Sequence, residues 1–228
     1  MPKIELETIL SIFENPARRE IIKRLSQEPN YSFQLAKDTG LSQQQIANHL
    51  NVMEEAGLVD SSKRSGYGGP SRNVFSLSKS FSIVLDVAPH MYNEKLVDFD
   101  ATPNRNLISE ESVSFMDKVD EILEYPKSRD RIEPLAQIIG DIDEHISKLE
   151  EERLVFLFIR NLVMSEAHKE IQALDSADAR RVIYSAIDEH DATVSGISKA
   201  LNLREDFVRE IIEKIKKDLQ TNYFLKCM

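Results

Sequence analysis

Between Ser42 and Met53 the chain carries no Asp, Glu, Lys or Arg, although charged residues make up 30% of its 228 positions. That stretch lies inside Ser32–Ala56, SFQLAKDTGLSQQQIANHLNVMEEA, whose local signals fix its fold. A short helix is predicted over Ser32–Thr39, and Gly40 stops it because glycine takes the left-handed conformation without strain. Ser42 with Gln45 three residues later is a capping box, so a second helix starts there and runs to about Glu55, with Gly57 beyond it. Two helices joined by a tight glycine turn make a helix-turn-helix.

At about 100° per residue, Ile46, Leu50 and Met53 share one face of the second helix and point to a core. Gln44, Ala47, Asn48 and Asn51 fall on the opposite face. A polar helix face is usually solvated and filled with Glu and Lys. This one offers amides and one methyl. Asn and Gln donate and accept together, which suits the N6/N7 edge of adenine, and Ala47 suits a thymine methyl. Gln43 lies at the helix N-terminus, the end that normally points into the major groove. Ser32, at the start of the preceding helix, is placed to touch phosphate.

The flanks agree with this reading. Ile4, Leu6, Ile9, Leu10 and Phe13 predict an amphipathic first helix, and Asn15-Pro16 breaks it and starts the next. After Leu58-Val59 comes the loop Lys63-Arg64-Ser65-Gly66-Tyr67-Gly68-Gly69-Pro70-Ser71-Arg72, followed by Asn73–Leu77. This predicts a β-hairpin with a basic, glycine-rich tip in which Lys63, Arg64, Tyr67 and Arg72 can lie along a DNA backbone or enter the minor groove. Phe81, Ile83, Leu85 and Val87 alternate like a strand, and Leu96–Phe99 is placed to pair back. Asp100–Asn106 reads as a linker.

The net charge of −10 seems wrong for a nucleic-acid partner. Its distribution removes the objection. Residues 1–82 hold 10 Lys+Arg against 9 Asp+Glu, so the acid excess lies beyond them. Local charge, not overall pI, governs phosphate contact.

Beyond the linker a helix is predicted near 109–125 and a long helical stretch over 130–173. Leu135, Ile139, Ile142, Ile146 and Leu149 step by 4,3,4,3, a heptad seam. Phe156 and Val163 continue the frame, with Arg153 and Arg160 at two seam positions. Leu154–Ile159 is apolar all round and is expected to be buried on several sides. Its β-branched and aromatic content also allows a strand. Residues 109–173 are therefore read as a homodimerisation region.

A shift of 162 residues lays Ala17-Arg18-Arg19 on Ala179-Arg180-Arg181, Leu35 on Ile197, Ile46 on Val208 and Leu50 on Ile212. A second tri-helical unit is predicted at 176–220. Its last helix turns Asp206, Arg209, Glu210 and Glu213 outward, unsuited to phosphate. It reads as a degenerate copy used for packing or for a protein partner.

NPARREIIKRL followed by LSQQQIANHLNVMEEAGLV and a glycine-rich hairpin resembles the ArsR-type winged helix-turn-helix regulators, particularly archaeal ones, over residues 5–85. The resemblance implies a dimeric transcription factor whose third helix enters the major groove. The family's metal sensors carry cysteine ligands on the helix that corresponds to SFQLAKDTG, and this chain has none there.

The fold expected is mainly α with a small β-hairpin. It comprises a winged helix-turn-helix over 1–100, a helical dimerisation region over 107–174 and a second helix-turn-helix-like unit over 175–228. The recognition helix is 42–56 and the basic wing 61–73. The function expected is a sequence-specific regulator bound to double-stranded DNA, with a winged-helix assembly scaffold as the rival reading. No enzyme is expected, since no nucleophile, base and metal-ligand set converges. No cofactor and no metal are expected: Cys227 is the single cysteine and the five histidines lack ligand spacing. No apolar run approaches ~20 residues, so no membrane span is expected, and the expected compartment is the cytoplasm.

Overall fold

The computed structural model describes residues 4–64, 72–99, 109–124, 129–188 and 193–218. The fold is mostly helical with small antiparallel sheets, and it divides into two compact units. Met1–Leu85 with Asn93–Ile108 form one, and Asp86–Tyr92 with Ser109–Met228 form the other.

In the first unit, α1 (Leu6–Glu14) is followed directly by α2 (Pro16–Leu25). Asn15 makes the corner. Its side chain accepts from the amides of Ala17 and Arg18 while Pro16 fills the position that needs no amide hydrogen. The Arg19 guanidinium donates to the carbonyls of Phe13 and Glu14, closing the end of α1. α3 spans Ser32–Thr39 and α4 spans Gln43–Glu55, within a residue of the sequence expectation. Gly40 sits at φ +74° between them. Ile46 and Met53 are fully buried and Leu50 is 1% exposed. They pack with Ile12, Ile21 and Leu35 into one core.

β2 (Val59–Arg64) and β3 (Arg72–Leu77) form the expected hairpin, and its tip, with Tyr67, lies outside the described residues. The sequence gives no sign of β1, Asn30–Tyr31, which pairs antiparallel with Val74 and Phe75 and makes β3 the central strand. Two residues between a proline and a helix carry no periodicity. The pairing is set by the long-range fit to β3. β4 (Phe81–Ala88) and β5 (Met91–Asp98) form a second hairpin around Pro89-His90, with His90 at φ +63°.

In the second unit, α5 (Glu110–Glu124) packs on α6, which runs unbroken over Ile132–Gln172. At 41 residues α6 is about 60 Å long. Pro134 lies in its first turn, where a missing amide hydrogen breaks no bond. Leu154–Ile159 is helix, so the strand alternative is removed. The expected burial is not met within one chain: Leu154, Val155, Phe156 and Phe158 are 57–68% exposed. Arg153 and Arg160 leave the heptad seam for ion pairs with Asp86 and Asp188, at 2.5 and 2.6 Å.

α7 (Ala177–Asp188), α8 (Val194–Leu201) and α9 (Glu205–Asp218) pack around Val182, Ile197, Val208 and Ile212. They repeat α2–α4 closely. Ile197 is buried like Leu35 and Val208 like Ile46, and Asn202 takes the left-handed turn position of Gly40 at φ +53°. The first helix of the repeat is one residue out of the 162-residue register. Arg180, not Arg181, reproduces Arg19, donating to the carbonyls of Leu174 and Asp175. Val182, not Ile183, takes the buried place of Ile21.

The reciprocal cap on α4 is intact: Gln45 N donates to Ser42 Oγ at 3.2 Å and Ser42 N donates to Gln45 Oε1 at 3.0 Å. Replacing Ser42 by Ala is expected to destabilise the protein by about 1 kcal/mol, read as a lower urea midpoint with unchanged slope.

Candidate nucleic-acid interface

Burial of Ile46, Leu50 and Met53 fixes the rotation of α4 and thereby its outer face. Gln43, Gln44, Asn48 and Asn51 are exposed and Ala47 is half-buried. Gln44 Nε2 donates to Asn48 Oδ1 at 3.0 Å, so the two amides stand side by side one turn apart. Gln45 is tied to the cap and adds nothing to this face. The first turn of α4 holds no acidic residue, so its positive dipole end is uncompensated.

α3 supplies a second anion-compatible end. Its N-cap, Tyr31, makes no side-chain capping bond, and the first-turn amides have no such acceptor. Ser32 is half-buried at that end. Between the start of α3, α4 and the tip-side half of β3 lies an open cleft of about 800 Å³. Ser32, Phe33, Ala47, Asn51, Arg72 and Asn73 line it. The cleft thus brings together Ser32, Ala47, Asn51 and Arg72, which the sequence picks out separately. Phe33 and Asn73 are additions. Phe33 is 61% exposed, and its place about 160° around α3 from the fully buried Leu35 is the signal that could have found it.

The wing concentrates positive charge. Arg64 pairs directly with Arg72 across β2 and β3, and Lys63 pairs with Asn73. All three cations are exposed. Like charges at opposed strand positions repel, so this pairing is unfavourable without an anion nearby. Among the described residues no carboxylate forms an ion pair with Lys63, Arg64 or Arg72.

His49, at the edge of α4, is half-buried. Burial, with a smaller contribution from the Arg18 charge, holds its imidazole below the usual histidine value.

The α7–α9 repeat has a different surface. At the positions matching Gln43, Gln44, Asn48 and Asn51 it exposes Glu205, Asp206, Glu210 and Glu213. Two of these acids lie in the first turn of α9, where the dipole favours them and they would repel phosphate. Among the described residues no group of three or more His, Cys, Asp or Glu side chains is arranged to hold a metal ion, and no helix is long and apolar enough to cross a membrane.

Residues 15–61 match the family described as bacterial regulatory protein, arsR family. The match takes in α2, α3 and α4 and ends inside β2. No curated protein matches the chain.

His49 yields a pH prediction. Its lowered native pKa means that the unfolded chain takes up a proton before the native one does. The stabilisation is full above the ordinary value of about 6.5 and is lost as pH falls through the native pKa. The urea midpoint is expected to fall less between about pH 7.5 and 5 in His49→Gln than in the wild type.

Proposed function

We propose that this chain is a dimeric, sequence-specific regulator of transcription that binds double-stranded DNA. The observation that carries the proposal is the uncharged amide face of a rigidly capped α4 beside the opposed Arg64–Arg72 pair. The arsR-family match over the same helices supports it. In this reading the helix of residues 42–56 enters the major groove, and Gln43, Gln44, Ala47, Asn48 and Asn51 face base edges. The wing of residues 61–73, with Lys63, Arg64, Tyr67 and Arg72, lies on the backbone or in the minor groove. Ser32 and the open start of α3 hold a phosphate across the cleft.

The division of labour follows from the chemistry. Residues 1–100 form the reading domain and 107–174 the dimerisation region, with the homodimer contact inside 109–173. Two copies match the two half-sites of a palindromic operator. Residues 175–228 keep the helix-turn-helix frame but not its DNA chemistry, and their acidic outer face suits packing or a protein partner. Such a regulator works in the cytoplasm, on DNA, and has no chemistry of its own to catalyse.

Gel-shift titration against genomic fragments, followed by the selected operator at two salt concentrations, tests the roles. Asn48→Ala is expected to relax base preference at one position and to cost about 1–3 kcal/mol there. Arg64→Ala is expected to weaken all sequences alike and to lower the salt slope by about 1. Equal weakening of every sequence by Asn48→Ala would assign that residue to the backbone. No shift with any fragment at low salt would reject the DNA reading.

A further inference from the structure

Over Leu154–Val163 the long helix α6 is apolar around most of its circumference, with Leu154 and Phe158 also exposed, and one chain covers only one side. The covered side is Leu157, Arg160, Met164, His168 and Ile171, stepping by 3,4,4,3. Met164 is 3% and Ile171 5% exposed, and Arg160 is held by Asp188 of α7. The other side is Val155, Phe156, Ile159, Leu162 and Val163, and these remain 46–62% exposed. At about 100° per residue the two sides are centred roughly 140° apart, so no shared contact serves both.

We infer that a second copy of this chain covers the Val155–Val163 side, with two α6 helices packed about a two-fold axis. The inference rests on the dimeric reading above and locates its contact surface. It keeps Phe156 and Val163 of the heptad seam but turns the surface away from the two seam arginines. The seam would need Arg153 and Arg160 in the interface, but both guanidiniums are engaged within their own chain.

Three observations select a second copy. The five residues leave on the order of 500 Å² of surface per chain, more than half of the ~800 Å² per partner of a standard interface. A continuous apolar patch of this size is at the large end for a monomer and often marks a contact surface. The stripe itself carries no charge. From Leu154 to Val163 the only polar residues are Arg160 and Asn161, both half-buried, and glutamates stand at either end, Glu150–Glu152 and Glu166. An uncharged stripe complements another like itself, as the contact of a two-fold dimer must.

Sedimentation equilibrium of the full chain is expected to give a dimer at micromolar concentration. Ile159→Gln with Leu162→Gln is expected to raise the dimer dissociation constant by on the order of 100-fold, because two side chains per copy lose their burial. Both sites are exposed in one chain, so helix content by circular dichroism is expected to hold. Cysteine scanning of the full chain, with Cys227→Ser as background, decides the face even if that pair disturbs folding. At least one of Val155→Cys, Ile159→Cys and Leu162→Cys is expected to give an oxidised covalent dimer, and Leu157→Cys on the covered side none. A monomeric wild type, an unchanged dissociation constant in the folded double variant, or a dimer that cross-links at none of the three would overturn the inference. A dimer that cross-links as expected yet shifts no DNA would sink the regulator reading and leave this surface standing. DNA binding without these cross-links would do the reverse.

Discussion

The rotation of α4 about its own axis is the constraint on which the first unit depends. Ile46, Leu50 and Met53 are each at most 1% exposed and meet Ile12, Ile21, Leu25 and Leu35 from three other helices. Truncating such a side chain to Ala typically costs 2–5 kcal/mol, so turning α4 to present another face would forfeit most of a small domain's stability. The outer face is a by-product of that lock. The proposed reading role would need those amides held to within a fraction of an ångström, a precision the core behind α4 can supply, with the Ser42–Gln45 cap fixing where the helix begins.

The two helix-turn-helix frames show how little the frame decides about chemistry. α2–α4 and α7–α9 share buried positions, a left-handed turn residue and an arginine that closes the preceding helix. Their outer faces differ in kind: amides without charge on α4, and Glu205, Asp206, Glu210 and Glu213 on α9. The same backbone therefore supports a surface compatible with phosphate and one hostile to it. Function has to be argued from the face and not from the fold.

Legibility in the sequence followed the range of the interactions. The bounds of α3 and α4, the glycine turn and the cap depend on residues within four positions of one another, and they could be read directly. The wing strands were legible from their turn-rich tip. β1 was not, because Asn30–Tyr31 becomes a strand only when Val74 and Phe75 lie beside it. The one-residue offset of α7 was missed because Ala179-Arg180-Arg181 matches the letters of Ala17-Arg18-Arg19, whereas the contacts match Arg180 to Arg19. Along α6 the apolar pattern set an expectation of burial on several sides, a need for cover. It could not say that a single chain meets only half of that need.

On the proposed function, the opposed Arg64–Arg72 pair would give the free and the DNA-bound protein contrary responses to ionic strength. In the free wing, added salt screens the repulsion between the two guanidiniums and eases the hairpin. With a polyanion in place the repulsion is already neutralised, and the same salt competes for the site. A mutation that removed one arginine would relax the free hairpin while weakening its grip, so its effects on stability and on affinity would carry opposite signs.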